Sequence, residues 1–246
     1  MPTPMGEIIP VRGLSNSDFF ARHAAAGRVG LVAGTSWADR LIARAERHLN
    51  EDKSWGSWTH AFLCQGQRAD GRHWVVESDL DVHRKHTRLG VQENRVDKYH
   101  DEATYSTVAL VDFGLGEEQL QALVHESLEL VATRAKYSIR ELLGTMLAMK
   151  RPQLRGEANR MARDHSFYCS AFVQHVFRRA GVDLFPGVDV KNTTPDDLGR
   201  SPLPFRMWVL ERERPRPLVK QVAGRVRERL AVRRRARRIA RGSSKA

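Results

Sequence analysis

Cysteine is scarce in this chain, with only Cys64 and Cys169 among 246 residues. Two thiols cannot build a disulfide framework, and their scarcity fits a reducing compartment. Long apolar runs are absent, so no stretch reads as a bilayer span. The opening MPTPMGEIIPVRGLSNSDFF has neither a basic start nor an apolar centre, and so does not read as a secretory leader. A cytoplasmic location is the expectation, peripheral at a membrane if the tail binds one. Acidic residues are scarce at one end only. From Glu211 to Ala246 there are 14 Lys or Arg against 3 Glu, which leaves 27 bases and 26 acids elsewhere. The body is nearly neutral and the tail carries the net charge of +12.

A hydrophobic content of 41% over this length is enough for one sizeable core. GRVGLVAGT reads as a buried strand and SWADRLIARAERHLN as a helix, with Trp37, Leu41, Ile42 and Leu49 roughly on one side. WTHAFLCQG and RHWVVESDL flank QRADG, whose Asp-Gly pair is a turn signal, so the three predict a β-hairpin. The polar run DVHRKHTRLGVQENRVDKYHDEA reads as loop with short strand pieces. TYSTVALVDF predicts a strand and GEEQLQALVHESLELVATRAK a helix, with Glu117 and Glu118 where the dipole favours acids. YSIRELLGTMLAMKRP continues helical to Pro152, and RMWVLER closes as a short strand. Strands that follow one another, with helices before and after, predict an α+β domain on an antiparallel sheet. The expected organisation is an N-terminal extension (1–27), a main domain (28–210) and an Arg-rich tail (211–246).

FYCSAFVQHVFRRAG predicts a helix that begins almost at Cys169, with Phe172, Val173, Val176, Phe177 and Ala180 at helical spacing and Gly181 as a stop. A thiol at a helix N-terminus sits beside unpaired N–H groups and the positive end of the dipole, and both favour the thiolate nucleophile. A histidine partner would add a general acid and base. The competing reading is a small buried hydrophobe. Among ten histidines, His60 stands out inside the apolar strand WTHAFLC, where an ionisable residue needs a partner. Glu77, in VVESDL, offers one. A loop at Gln67–Asp70 sets the two directly opposite, whereas a tight turn at Asp70–Gly71 shifts them by four residues, and both registers keep them on one face. An ordinary cross-strand ion pair is the competing reading.

SWTHAFLCQG, WVVESDL, FYCSAFVQHVFRRAGVDL and TTPDDLGRSP, with GLVAGTSWADRLI upstream, resemble the permuted papain-fold cysteine hydrolases, specifically the YiiX-like branch of the NlpC-type superfamily. The resemblance covers roughly 28–210 and does not touch the tail. It implies a papain-like fold in permuted order, with the chain order His, polar third residue, Cys. On that match His60 is the acid/base, Glu77 the orienting residue and Cys169 the nucleophile in a Tyr168-Cys169-Ser170 context. The backbone N–H of Cys169 becomes an oxyanion donor, and Tyr168 and Ser170 become candidate oxyanion or substrate contacts. The implied activity is cleavage of an amide (peptide, isopeptide or lipid amide) through an acyl-enzyme, without a cofactor. Thioesterase or lipid acyltransferase chemistry on the same residues and a non-catalytic binding module are the alternatives.

Other signals are weaker. Cys64 could pair with Cys169 in redox chemistry or with His60 at a metal, but its spacing matches no zinc pattern and a strand cysteine is usually core. His83 and His86 in DVHRKH read as a solvated basic loop, and no metal site is expected. VDFGLGEE lacks the spacing of a nucleotide fingerprint and reads as a turn. NTTPDDL reads as a helix cap on Thr193 or Thr194 before Pro195. In the tail, Val219, Val222, Val226 and Leu230 form one helical stripe among arginines, which suits an anionic membrane surface ahead of nucleic acid. A disordered polycationic extension is the plainer alternative, and without aromatics the tail lacks the stacking of single-strand binders.

Overall fold

In the computed structural model, residues 6–35, 37–49, 55–79, 90–137, 139–159 and 165–212 are described. The apolar runs become the centre of a seven-stranded sheet. Its strands are β1 (Glu7–Val11), β2 (Val29–Gly34), β3 (His60–Gln67), β4 (His73–Asp79), β5 (Gly90–Arg95), β6 (Tyr105–Asp112) and β7 (Arg206–Leu210). Their order is β1-β7-β6-β2-β3-β4-β5, and every pairing is antiparallel except β1 with β7. The α+β class is therefore as expected, with one parallel pair at an edge.

The described residues form six α-helices: α1 (Asn16–His23), α2 (Trp37–Glu46), α3 (Glu117–Ala132), α4 (Ile139–Lys150), α5 (Cys169–Arg179) and α6 (Pro195–Gly199). The sheet is buried on both faces, which is why β2 and β3 read as continuous apolar runs instead of alternating ones. On one side Leu31, Leu63, Val76, Ala109 and Val111 pack with α5 residues Phe172, Val173 and Val176. On the other, Val32, Phe62, Cys64, Val75, Val108 and Leu110 pack with Phe19 and Phe20 of α1 and with Tyr99. The first 27 residues thus contribute a strand and part of the second core. The chain divides into compact units between Glu211 and Arg212. Apart from Arg212, the second unit lies outside the described residues, and with it the helical stripe read in the tail. Among the described residues, no helix is long and apolar enough to cross a membrane.

The hairpin adopts neither register read from its turn. Gly66 pairs with Trp74 and Gln67 with His73, but after a shift between Cys64 and Gly66 the pairs become Cys64 with Val75 and Leu63 with Val76. The extra residue is a β-bulge, and Gly66 takes φ +90° there, a conformation that L side chains rarely adopt. Continued without the bulge, the first register would place Glu77 on the opposite face from His60. With it, His60 falls opposite Asp79, and Glu77 becomes a diagonal neighbour on the same face.

The α6 cap is a built junction. Thr194 is the N-cap, Pro195 the first helical residue, and Thr194 and Asp197 form a reciprocal capping box. Asp196 accepts the backbone N–H groups of Ser57 (2.8 Å) and Trp58 (2.9 Å), fixing the approach to His60. Beside it Glu46 is wholly buried, and one of its carboxylate oxygens has no hydrogen-bond partner. Burial, then the charge of Asp196, raises its proton affinity well above the usual carboxylate range. The folded state therefore keeps a proton that the unfolded chain gives up, so this group costs stability as pH rises past the ordinary carboxylate range. Glu46→Gln is expected to melt a few degrees above the parent near neutral pH, with the gain vanishing in acid, as read by thermal unfolding across pH.

Candidate active site

Cys169 is the first residue of α5, and its N-cap Tyr168 contributes no side-chain hydrogen bond to the helix start. The positive end of the helix is left facing the sulfur. His60 is the first residue of β3. Its ring bonds Glu77 on one side and lies near enough to Cys169 for that sulfur's charge to act on it. The Nε2–Oε2 distance to Glu77 is 2.7 Å. An ionised carboxylate only accepts, so Nε2 carries a hydrogen and Nδ1 is the nitrogen left for the sulfur. The structure thus brings together the three residues Cys169, His60 and Glu77. Burial opposes charging of the ring, but the negative charge and hydrogen bond of Cys169, followed by those of Glu77, hold its proton affinity well above the usual histidine range.

Glu77 is wholly buried, and four groups satisfy it. Oε1 accepts from Asn94 Nδ2 at 2.7 Å and Lys98 Nζ at 2.9 Å, while Oε2 accepts from the His60 ring and the Tyr99 hydroxyl. Burial would neutralise such a group, yet Lys98, His60 and Tyr99 together hold its carboxyl far below the usual range. Asn94, Lys98 and Tyr99 escaped the sequence reading because they lie in its longest polar stretch. They belong to edge strand β5 and the 3-10 turn Val96–His100 that follows it. A polar edge strand and a single 3-10 turn carry no apolar period, and the one available signal was a buried-type tyrosine beside a lysine.

Tyr168 and Ser170 turn their hydroxyls to the Thr193 carbonyl. The Tyr168 hydroxyl is buried, donates to the Thr193 carbonyl at 2.9 Å and lies 2.9 Å from the Thr145 hydroxyl, while Ser170 donates to the same carbonyl at 2.8 Å. Their hydroxyls anchor the helix start to the α6 junction. Cys64 belongs to the core on the other sheet face from Cys169, both thiols are free, and burial pushes the Cys64 thiol up to about 12. The redox pairing considered for Cys64 has no support in this arrangement.

No family model matches the chain, and no curated protein does. Among solved structures it is similar to the metalloprotein yiiX of Escherichia coli O157:H7, with a TM-score of 0.48 and 13% identity over 78% of this chain and 99% of that one. On this chain, His60, Glu77 and Asp79 each bring a possible ligand atom within 4.8 Å of the others. Lys98 already occupies that cluster. Its ammonium bonds both Glu77 and Asp79, so the carboxylates are compensated by a fixed organic cation, and the geometry is that of an ion-pair network. His83 and His86 lie outside the described residues.

Proposed function

We propose that this chain is a cysteine hydrolase that cleaves an amide bond through an acyl-enzyme, on a permuted papain-like fold. One observation carries the reading: the His60 ring is held between the Cys169 sulfur and the Glu77 carboxylate, at the N-terminus of a buried helix. In the first step the thiolate attacks the carbonyl carbon, and the oxyanion meets the backbone N–H of Cys169. Collapse breaks the C–N bond as the His60 imidazolium gives its proton to the departing amine. Neutral His60 then takes a proton from water, whose oxygen attacks the thioester, and the C–S bond breaks to release the acid and restore the thiolate. Glu77 keeps the ring in one tautomer and orientation throughout. The chain order His60, Glu77, Cys169 supports the permuted arrangement.

The test is acyl-enzyme trapping. Activated amide, ester and thioester probes are incubated with the full chain, and the adduct is located by mass spectrometry. A covalent acyl group on Cys169 that turns over, and is lost in Cys169→Ala, is the expected result. Turnover of thioester probes alone would move the assignment to the thioesterase class. No adduct on Cys169 with any probe would end the proposal.

A further inference from the structure

We propose that Lys98 is a positioning residue: locked between Glu77 and Asp79, its ammonium fixes the Glu77 carboxylate on His60 and sets the pH range in which Cys169 reacts. This rests on the hydrolase reading above and goes beyond it by assigning a role to a residue outside the three. Lys98 has only 15% of its side chain exposed, which is costly for a lysine without fixed partners. Nζ lies 2.9 Å from Glu77 Oε1, bonds Asp79 Oδ2, and sits 5.3 Å from the centre of the Tyr99 ring. With Asn94 on the same oxygen and Tyr99 on the other, the carboxylate cannot turn about its last bond without losing bonds at both oxygens. Its second oxygen therefore stays aimed at Nε2.

The charge balance gives the role its readable consequence. In the reactive state the site holds three anions (the Cys169 sulfur, Glu77 and Asp79) against two cations, His60 and Lys98. Tyr105 from β6 and Tyr137 after α3 face the same charges as neutral phenols, and Asp39 of α2 adds a further negative charge within reach. Removing the ammonium makes the surroundings more negative, so each proton is held more tightly and the reactive range moves to higher pH. Removing the Asp79 charge does the opposite. A lysine that only filled space would leave the midpoint unmoved when its ammonium is removed.

The experiment follows iodoacetamide alkylation of Cys169 against pH in the full chain, with thermal unfolding as the check on folding. Lys98→Met is expected to raise the midpoint of the curve by about 0.5–1 pH unit, less than a directly touching charge would. Lys98→Arg is expected to track the parent, and Asp79→Asn, near-isosteric and independent of the lysine substitution, to lower the midpoint. A parent-like midpoint in folded Lys98→Met would overturn the role. Should Lys98→Met fail to fold, Lys98→Gln is read in its place, and an unmoved midpoint there overturns the role. If Cys169 of the parent alkylates no faster than Cys64, the hydrolase reading itself has failed, and that outcome is separate from the variants.

Discussion

His60→Ala is expected to lower acyl transfer to Cys169 by about 10²–10⁴-fold, the usual contribution of a positioned general acid and base. The fold should tolerate the change. His60 stands at the end of β3 with part of its ring exposed, and Glu77 keeps Lys98, Asn94 and Tyr99 as partners when the ring is gone. Activity and stability should therefore separate: probe turnover collapses while the melting temperature stays within a few degrees. A variant that melts early but keeps its turnover per folded molecule would show His60 to be a packing residue.

Glu77→Ala should behave in the opposite sense on stability. Here a wholly buried carboxylate is removed from beneath four donors, leaving the ammonium of Lys98 with Asp79 alone and the Tyr99 hydroxyl without its acceptor. Breaking a buried charge network by deleting one member costs roughly 3–5 kcal/mol, or a fall in melting temperature on the order of 10 °C for a domain this size. The pH dependence has a definite sign. Because its neighbours depress the folded carboxyl's proton affinity, Glu77 contributes stability that is fully present above the ordinary carboxylate range. That contribution is lost as pH falls through the folded value, far into acid. Parent and Glu77→Gln should thus differ most near neutrality and converge in strong acid. Melting curves of the two proteins at neutral and acidic pH measure this directly.

Much of this site can be read from residue patterning, and the unreadable parts have identifiable causes. The Cys169 helix was legible because its apolar residues recur at helical spacing and Gly181 stops it. His60 and Glu77 were legible because each is an ionisable residue in an apolar strand. Their register was not, since it depends on one inserted residue before Gly66, and a bulge leaves no mark in the alternation of a strand buried on both faces. Lys98, Tyr99 and Asn94 were hidden because an edge strand and a 3-10 turn have no core-facing stripe. The bonding of Tyr168 and Ser170 was not legible either: both hydroxyls anchor to the Thr193 carbonyl, a partner more than twenty residues away in the chain. The parallel pairing of β1 with β7 joins residues nearly two hundred positions apart, and no local pattern announces it.

The proposed hydrolase requires the Cys169 sulfur and the His60 ring to act as a charged pair, and the chain carries its own control for this. Cys64 is a second free thiol, sealed in the core with its proton held up to about 12. Native protein is exposed to iodoacetamide at pH 6, and the two labelling rates are read by peptide mass spectrometry. Cys169 is expected to label at least about a hundred times faster than Cys64, with the advantage largely abolished in His60→Ala. Equal, slow labelling of both thiols, or a Cys169 rate indifferent to loss of His60, would contradict the account at its root.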